Sequence, residues 1–360
     1  MTKRIRILVV EDSLTIRKRL VEVLSADPGL QVVGEAEDGK QGIELCERLR
    51  PDVVTLDMMM PVMTGVAAAE HIMAYCPTPI LVVSSSTNRG ELYRTYDALA
   101  AGAIDVLDKP RGDEHDQAWE ERLRATVKLI SRIKVITHLR ARLGGGASRA
   151  ASTPAPALPP RTTTAPAVRA VALGGSTGSP GAVVQILRGL PRDYPLPVLL
   201  VIHINEPFGT AFAEWLDAQL SVRVRYARDG EPLGGARDAT VLMAPPGRHL
   251  VVERGLLRLD DGPERYSCRP SVDVLFHALA RDIGPAALGC LLTGMGRDGA
   301  EGLLAMRRAG AATVAQDEAS SVVFGMPREA ILLGAAERVL PVQEIGPALL
   351  EAARPARGLA

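Results

Sequence analysis

The sequence predicts an α/β protein with two folded units: the first on a doubly wound parallel sheet, the second on a mostly parallel sheet with an antiparallel hairpin. Its 360 residues exceed the roughly 100–200 residues of one domain. Residues 144–167 contain five prolines and a glycine triplet but almost no large apolar side chain, a composition typical of a flexible linker. Short apolar runs alternate with helical patterns on both sides of it. We therefore expect units at 1–143 and 168–355, joined by a linker at 144–167.

Five short β-like runs alternate with helical patterns in the first unit, whose core we predict at 5–125. Between residues 13 and 26, apolar side chains recur every four positions, as on one face of a helix. This alternation predicts parallel strands with helices on both faces, the flavodoxin-like form of the doubly wound sheet. From about residue 114 to 143 the pattern predicts one long helix that runs into the linker. The five runs span Ile5–Val10, Gln31–Ala36, Val53–Leu56, Ile80–Val83 and Ala103–Leu107.

The second unit begins with a strand at Ala170–Leu173, followed by a glycine-rich turn and a helix at Pro180–Leu190. Arg254 and Gly255 separate two short runs and predict a hairpin. The other runs predict a mostly parallel sheet. The further predicted strands are Val198–Ile202, Val222–Tyr226, Thr240–Met243, Leu250–Val252, Leu256–Leu259, Ala287–Leu292 and Ala312–Val314.

Composition and charge argue against several classes of protein. Lys plus Arg and Asp plus Glu both number 42, so the chain lacks the charge excess of a nucleic-acid coat or a polybasic membrane anchor. No apolar run reaches the roughly 18 residues that span a bilayer, and Glu11 and Asp12 follow too early for a signal peptide. The four cysteines form no C-x-x-C pair, which disfavours a structural zinc site or a disulfide framework. We expect a cytoplasmic protein without nucleic-acid partners or membrane insertion.

The lysines are confined to the first unit. The chain has 36 arginines but six lysines, and none lies beyond Lys134. The second unit therefore cannot hold a P-loop lysine, a Schiff-base lysine or a Ser–Lys dyad. Chemistry in this unit must rest on other groups.

Five polar residues follow the predicted strands of the first unit: Glu11, Asp12, Asp57, Ser84 and Lys109. The carboxyl ends of parallel strands share one edge of the sheet, so these side chains should converge there. Three crowded carboxylates need a cation, and Mg²⁺ prefers such oxygen ligands. The neighbouring hydroxyl and ammonium could stabilise a phosphoryl group on a carboxylate. Taken singly, each residue could instead be a turn or helix-cap residue.

The segments around these residues resemble the receiver domain of bacterial response regulators. The matching stretches are ILVVEDS, VVTLDMMMPVMTG, PILVVSSST and GAIDVLDKP. The resemblance implies that a histidine kinase phosphorylates Asp57, that Glu11, Asp12 and Asp57 hold Mg²⁺, and that Ser84 and Lys109 contact the phosphoryl group. Val106 occupies a position where many receivers carry a switching aromatic residue.

A G-x-S-x-G pattern at residues 174–178 follows the first strand of the second unit and precedes a predicted helix. Such a strand-to-helix turn exposes the hydroxyl of Ser176 as a candidate nucleophile. A glycine-rich phosphate loop or a simple structural turn is the alternative. Of the three histidines in this unit, His203 ends a strand and should share the sheet edge with Ser176. We interpret His249 as structural and His277 as a helix-surface partner of Asp273.

A catalytic imidazole needs an orienting carboxylate, and Asp298 is the candidate because it lies in a glycine-rich loop after a strand. The glycines of this loop would also let backbone N–H groups point at a ligand, as an oxyanion hole requires. The resulting chain order is Ser, His, Asp. That order disfavours an α/β-hydrolase, in which the acid precedes the histidine.

The second unit resembles the chemotaxis protein-glutamate methylesterases of the CheB type over residues 169–345. The matching stretches are ALGGSTGSP, LLVIHINEPFGTAFAEWLD, APPGRHL, PSVDVLF, LLTGMGRDGAEGL and SSVVFGMPREAI. The resemblance implies a Ser176–His203–Asp298 triad, with an oxyanion hole of the backbone N–H groups of Met295 and Thr177. It implies that methyl esters are hydrolysed and glutamines deamidated on the cytoplasmic domains of chemoreceptors, without a cofactor for the hydrolysis.

Other functions remain open at the level of sequence. One is a receiver-linked adaptor whose hydrolase-like unit is inert, and another is a hydrolase of small esters. A phosphorylation-switched transcription factor is disfavoured because the second unit has no basic recognition helix. In the favoured interpretation, the receiver covers the hydrolase and phosphorylation relieves this inhibition.

Overall fold

The computed structural model describes residues 3–85, 89–110, 116–133, 135, 167–204, 208–234 and 240–354. Within the chain, two compact units are separated at residues 145 and 146. All but the last residue of the predicted linker 144–167 lies outside the described residues. In the described ranges, no helix is both long and apolar enough to cross a membrane.

The first unit is a doubly wound α/β sandwich, as predicted. Its five strands run parallel in the order β2-β1-β3-β4-β5. The strands are β1 (Ile5–Val10), β2 (Leu30–Ala36), β3 (Val53–Leu56), β4 (Ile80–Ser84) and β5 (Asp105–Asp108). The helices are α1 (Leu14–Ser25), α2 (Gly39–Leu49), α3 (Gly65–Tyr75), α4 (Arg89–Ala101) and α5 (Gln117–Ile130).

Burial and helix capping explain these elements. The inner residues of β1, β3 and β4 are fully buried, as expected for strands covered on both faces. Ser13 caps α1 by accepting a hydrogen bond from the backbone N–H of Ile16, and Thr64 caps α3 in the same way. Strand β5 begins at Asp105 rather than Ala103, because the N–H of Ala103 still closes the turn after α4 onto the carbonyl of Ala98.

Helix α5 is shorter than the predicted helix over residues 114–143. It begins at Gln117, where Asp116 accepts from the backbone N–H of Trp119, and it ends at Ile130. The Ser131 hydroxyl donates to the Lys128 carbonyl, and residues 131–133 leave the helix. Residues 136–143 lie outside the described part of the chain.

The second unit is built on a seven-stranded sheet that is entirely parallel, with the order β14-β13-β12-β6-β7-β9-β8. The strands are β6 (Ala170–Gly175), β7 (Val198–Ile202), β8 (Val224–Tyr226), β9 (Val241–Met243), β12 (Ala287–Leu291), β13 (Ala312–Gln316) and β14 (Arg338–Leu340). The predicted hairpin is present as a separate antiparallel pair, β10 (His249–Glu253) with β11 (Leu256–Asp260).

Six α-helices of the described residues accompany this sheet: α6 (Ser179–Leu187), α7 (Phe212–Gln219), α8 (Val272–Asp282), α9 (Ala300–Arg308), α10 (Met326–Leu332) and α11 (Val342–Ala352). Helix α6 ends at Leu187 rather than at the predicted Leu190, and β8 begins at Val224 rather than Val222. Strand β6 is central, with β7 on one side and β12 on the other. The loops that follow these three strands therefore meet at one edge.

Candidate active site and phosphorylation site

In the first unit, the carboxylate of Asp57 lies at the carboxyl end of β3 and is almost fully buried. Its backbone N–H donates to the carbonyl of Val10, the last residue of β1. Its Oδ1 accepts a hydrogen bond from the backbone N–H of Met58 at 2.7 Å. The side chain is thus fixed by its own turn at the predicted edge of the sheet.

Lys109 links the two buried carboxylates. Its Nζ lies 2.9 Å from Oε1 of Glu11 and 3.0 Å from Oδ2 of Asp57. Its backbone N–H donates to the carbonyl of Ser84, which places the buried Ser84 at the same edge. Burial raises the pKa of Asp57, and burial together with the Asp57 charge raises the pKa of Glu11 to about 7. Both carboxyls therefore hold a proton more readily than usual, because Lys109 only partly offsets their burial and crowding.

The donor set fits a hard divalent cation. One carboxylate oxygen each from Glu11, Asp12 and Asp57 lie within 4.8 Å of one another. Glu11 Oε2 is buried and accepts no hydrogen bond from any described residue. A buried carboxylate oxygen without a donor is costly unless a cation balances it. Asp12 is exposed, so the edge remains open to solvent and to a phosphoryl donor.

In the second unit, Ser176 and His203 follow neighbouring strands at paired positions. Gly175 at the end of β6 pairs with Ile202 at the end of β7, and the backbone N–H of His203 donates to the Gly175 carbonyl. Ser176 sits on a tight turn before α6, in which Gly178 has φ +79°. Its hydroxyl neither donates a hydrogen bond to, nor accepts one from, any residue that the structure describes. The side chain is half-buried.

His203 contacts Asp298 directly. The imidazole Nε2 lies 2.8 Å from Oδ2 of Asp298, which is 2 % exposed. Burial alone would lower the pKa of His203, but the hydrogen bonds to Asp298 and Cys268 outweigh it and raise the pKa to about 9. The pKa of Asp298 is lowered despite its burial, because His203 and Ser271 hydrogen-bond to the carboxylate.

Three further donors to Asp298 come from the N-cap and the first two residues of α8. Ser271 Oγ donates to Oδ1 at 2.7 Å, the backbone N–H of Val272 to Oδ2 at 2.7 Å, and that of Asp273 to Oδ1 at 3.0 Å. With His203, the carboxylate has four donors. A helix N-terminus favours a negative charge, so this position holds Asp298 ionised and in one orientation.

The ionised carboxylate fixes the tautomer of His203. A carboxylate only accepts hydrogen bonds, so Nε2 of His203 carries a hydrogen. The lone pair of the neutral ring is then on Nδ1, which lies 3.6 Å from Sγ of Cys268. The chymotrypsin-type triad uses the opposite ring orientation, with Nδ1 toward the acid.

The backbone N–H groups of Met295 and Thr177 have no acceptor among the described residues. Thr293 follows β12 and contacts the loop after β6, which contains Thr177. Its buried hydroxyl lies 3.0 Å from the Thr177 carbonyl and 3.2 Å from the Val323 carbonyl. Its carbonyl accepts from the backbone N–H of Ser176 at 3.0 Å. The two free N–H groups therefore belong to segments held against each other.

The other predicted histidine roles have different outcomes. His249 is buried, with Nδ1 accepting from the backbone N–H of Ser271 and Nε2 near the Pro263 carbonyl, which fits the structural interpretation. The predicted pair of His277 with Asp273 is wrong. Asp273 is fully buried and instead pairs with Arg265 and accepts from the Gly302 N–H.

Three residues that contact the predicted site were missed by sequence reasoning: Cys268, Ser271 and Thr293. Ser271 could have been found, because a serine directly before an apolar helical run is the usual N-cap signal. Cys268 and Thr293 offer no such signal, since their partners lie 65 and 116 positions away in the chain.

Comparison with known proteins gives a match in each unit. Residues 171–349 match the family model of the CheB methylesterase, and residues 7–117 match that of the response regulator receiver domain. A protein-glutamate methylesterase/protein-glutamine glutaminase of Anaeromyxobacter dehalogenans is 44% identical over 97% of both chains. One from Nitrosospira multiformis is 43% identical over 96% of both. The CheB methylesterase catalytic domain of Thermotoga maritima covers 51% of this chain and 98% of its own at 32% identity, with a TM-score of 0.48.

Proposed function

The chain belongs to the CheB methylesterase family, with a response regulator receiver domain ahead of the hydrolase, and from this membership we propose how it works. It hydrolyses γ-methyl esters of glutamate on chemoreceptors, releasing methanol, and deamidates glutamines there. The observation that carries this proposal is the 2.8 Å contact between His203 and Asp298, beside a serine whose hydroxyl is free of described partners.

Ser176 is the proposed nucleophile. Its Oγ attacks the acyl carbon of the methyl ester, and Nδ1 of His203 takes the hydroxyl proton, because Nε2 already donates to Asp298. The imidazolium then protonates the departing methoxide, which leaves as methanol, or the departing amine of a glutamine, which leaves as ammonia. Water hydrolyses the glutamyl-serine ester by the same route in reverse.

The negative charge that develops on the acyl oxygen needs donors that are not already used. The N–H groups of Met295 and Thr177 meet this need, since neither has an acceptor in the described ranges. Thr177 also lies next to the N-terminus of α6, which favours negative charge. Both donors belong to the backbone, so the oxyanion hole does not depend on the side chains of these two residues.

In the receiver, a histidine kinase of the chemotaxis pathway would phosphorylate Asp57. Mg²⁺ held by Glu11, Asp12 and Asp57 would offset the charge of the incoming phosphoryl group. Lys109, already 3.0 Å from Asp57, would pair with the phosphoryl oxygens, and the Ser84 hydroxyl would donate to one of them. Phosphorylation then raises the hydrolase rate, which couples receptor adaptation to kinase activity.

The test is methanol release from a methylated chemoreceptor fragment. We would compare wild type, Ser176→Ala and Asp57→Asn, each with and without Mg²⁺ plus a small phosphodonor. Release should require Ser176, and its stimulation by the phosphodonor should require Asp57.

Two outcomes would contradict the proposal. Near wild-type release by Ser176→Ala would remove the nucleophile assignment. No release from any receptor fragment, in a sample shown to be phosphorylated on Asp57, would favour the inert adaptor. Labelling of Ser176 by a fluorophosphonate would separate an active serine from an inert one.

A further inference from the structure

The thiol of Cys268 lies 3.6 Å from Nδ1 of His203, the ring nitrogen that the proposed mechanism uses as the proton acceptor. The mechanism gives this thiol no role. Cys268 is half-buried, whereas the other three cysteines are buried. A thiol that faces the catalytic base from an accessible turn therefore needs its own explanation.

A tight turn with two backbone hydrogen bonds places this thiol. Arg265 and Cys268 exchange backbone hydrogen bonds of 3.2 and 2.9 Å across Tyr266 and Ser267, which have φ values of 50° and 58°. This is the backbone of a type I′ turn, which non-glycine residues adopt only at an energetic cost. Ion pairs of Arg265 with Asp273 and Glu301, at 3.0 and 2.6 Å, fix the turn against helices α8 and α9.

The positions of the sulfur and the nitrogen match two ligands of one tetrahedral zinc ion. Zn–S bonds are about 2.3 Å and Zn–N bonds about 2.0–2.1 Å, so a tetrahedral angle places the two ligand atoms about 3.6 Å apart. Histidines that bind zinc usually donate their second ring N–H to a carboxylate. His203 already does so through Nε2 and Asp298.

We propose that Cys268 Sγ and His203 Nδ1 form a site for Zn²⁺ that inhibits the hydrolase. Binding replaces the thiol hydrogen and, on a protonated ring, the hydrogen on Nδ1, and both are released to solvent as protons. The metal then occupies the lone pair that would accept the Ser176 proton. Water completes the coordination. Asp298 stays outside the metal's first coordination sphere, because its two oxygens already accept four hydrogen bonds. Mg²⁺ does not compete, since it prefers oxygen ligands.

The first readout is binding, which does not depend on the proposed function. Co²⁺ replaces Zn²⁺ in such sites, and only a thiolate ligand gives a sulfur-to-cobalt charge-transfer absorption. We would titrate Co²⁺ into the full chain carrying Asp12→Asn, which removes one carboxylate from the cluster in the receiver. The charge-transfer absorption should appear, and part of it should be lost when added Zn²⁺ displaces Co²⁺. Cys268→Ala should abolish this zinc-sensitive part.

The second readout is inhibition, which rests on the proposed function. Zn²⁺ should inhibit methanol release, and a chelator should restore it. The inhibition constant of zinc should rise at least about tenfold in Cys268→Ala and in the more conservative Cys268→Ser. Each rate is taken relative to that of the same variant without zinc. Cys290→Ala is the matched control, because it removes a buried thiol of β12 in the same unit and should leave both readouts at the wild-type value.

Equal zinc inhibition of wild type and both Cys268 variants would overturn the site, as would a Co²⁺ titration without the thiolate absorption. In that case the 3.6 Å contact is an ordinary thiol–imidazole hydrogen bond. If no receptor fragment releases methanol, the cobalt titration alone decides the metal site. A failure of the proposed function is therefore distinguishable from a failure of this inference.

Discussion

The carboxylate of Asp298 receives three of its four hydrogen bonds from the N-cap and the first two residues of helix α8. The helix therefore holds the acid of the proposed triad before any substrate arrives. Ser271 has two tasks in this arrangement. Its hydroxyl donates to Asp298 at 2.7 Å and accepts from the backbone N–H of Val274 at 3.3 Å, as an N-cap.

Ser271→Ala should therefore cost both stability and rate. Loss of an N-cap lowers the free energy of unfolding by about 0.5–2 kcal/mol. A hydrogen bond to a charged group is worth about 1.5–3 kcal/mol, so kcat/KM should fall roughly ten- to a hundredfold if Asp298 loses its orientation. Chemical denaturation and methanol release would measure the two effects.

The matched control is Ser13→Ala, which removes the N-cap of α1 in the receiver and touches no triad residue. It should lower stability by a similar amount and leave the unstimulated esterase rate unchanged. An equal loss of rate in both variants would show that capping alone explains the effect of Ser271.

The raised pKa of His203 predicts the pH dependence of the esterase. With the pKa at about 9, the ring is protonated at neutral pH and cannot accept the Ser176 proton. In the presence of a chelator, kcat/KM should rise with pH and level off above about pH 9. Asp298→Asn should move this limb to lower pH, because it removes a partner of the imidazolium, and should also lower the maximal rate. A limb at the same pH in both enzymes would contradict the assignment.

The linkage of this group to stability has the opposite sign. The pKa of His203 is higher in the folded protein than the ordinary value of 6.5, so its protonation stabilises the fold. That contribution is complete below about pH 6.5 and is lost as the pH rises through about 9. The His203–Asp298 pair therefore stabilises the fold least in the pH range in which the esterase is most active.

Among single residues, those that follow the ends of strands are the ones that the sequence places in the site most readily. Ser176 and His203 could be paired from sequence because each directly follows a buried apolar run. Cys268 could not, because its position depends on a turn in which Tyr266 and Ser267 adopt positive φ, against the preference of both residue types. The catalytic roles themselves stay predictions until variants are measured.

The turn between β6 and α6 is the element that presents Ser176. Gly178 in this turn has φ +79°, and a Cβ there would lie 2.4 Å from Cβ of Val322. Gly178→Ala should therefore combine backbone strain of about 1–3 kcal/mol with a clash that a rotation of Val322 cannot relieve. We expect lower stability in denaturant and a large loss of methanol release.

Gly334 provides the control for this prediction. It has φ +66°, and a Cβ at this position would meet nothing within 4 Å, so Gly334→Ala adds strain without a clash. This variant should lose stability but retain esterase activity. Equal retention of activity in Gly178→Ala would mean that the turn tolerates displacement and does not set the position of Ser176.

Elements differ in how well their sequences predict them. The buried strands β1, β3 and β7 are predicted with their observed bounds, because continuous apolar runs between turns leave few alternatives. Strand β14 escapes prediction, since three residues at a sheet edge, with only Leu340 buried, make no apolar run. Helix α5 is predicted too long because the helical pattern of the sequence continues past Ile130, whereas the helix ends there, at the C-cap Ser131, whose hydroxyl donates to the Lys128 carbonyl.

For the chain as a whole, we predict that the receiver, tethered by the predicted linker, restrains the hydrolase. A tether keeps one unit at a high effective concentration near the other. A truncated chain that begins at Ala167 retains the buried Val168 and the complete seven-stranded sheet. It should release methanol faster than the unphosphorylated full chain and should not respond to a phosphodonor. A truncated chain no faster than that full chain would argue against inhibition by the receiver.

The division into two units is predictable because proline-rich and glycine-rich sequence cannot bury a core, and each side of residues 144–167 has its own pattern of strands. The domain bounds at 143 and 168 remain predictions, since they fall at or beside undescribed residues. The antiparallel hairpin of β10 and β11 is also predictable. Its separation from the main sheet is not, because a turn sequence predicts a hairpin but not the sheet it joins.

The position of β12 has a consequence for synthesis of the protein. This strand lies between β6 and β13 in the sheet, although β6 to β9 all precede it in sequence. Ser176 and His203 therefore leave the ribosome well before Asp298. Until β12 docks, β6 presents an unpaired strand edge of the kind that promotes aggregation. A nascent chain thus carries the proposed nucleophile and base without the proposed acid, and we expect hydrolysis to begin only when the middle of the sheet is filled.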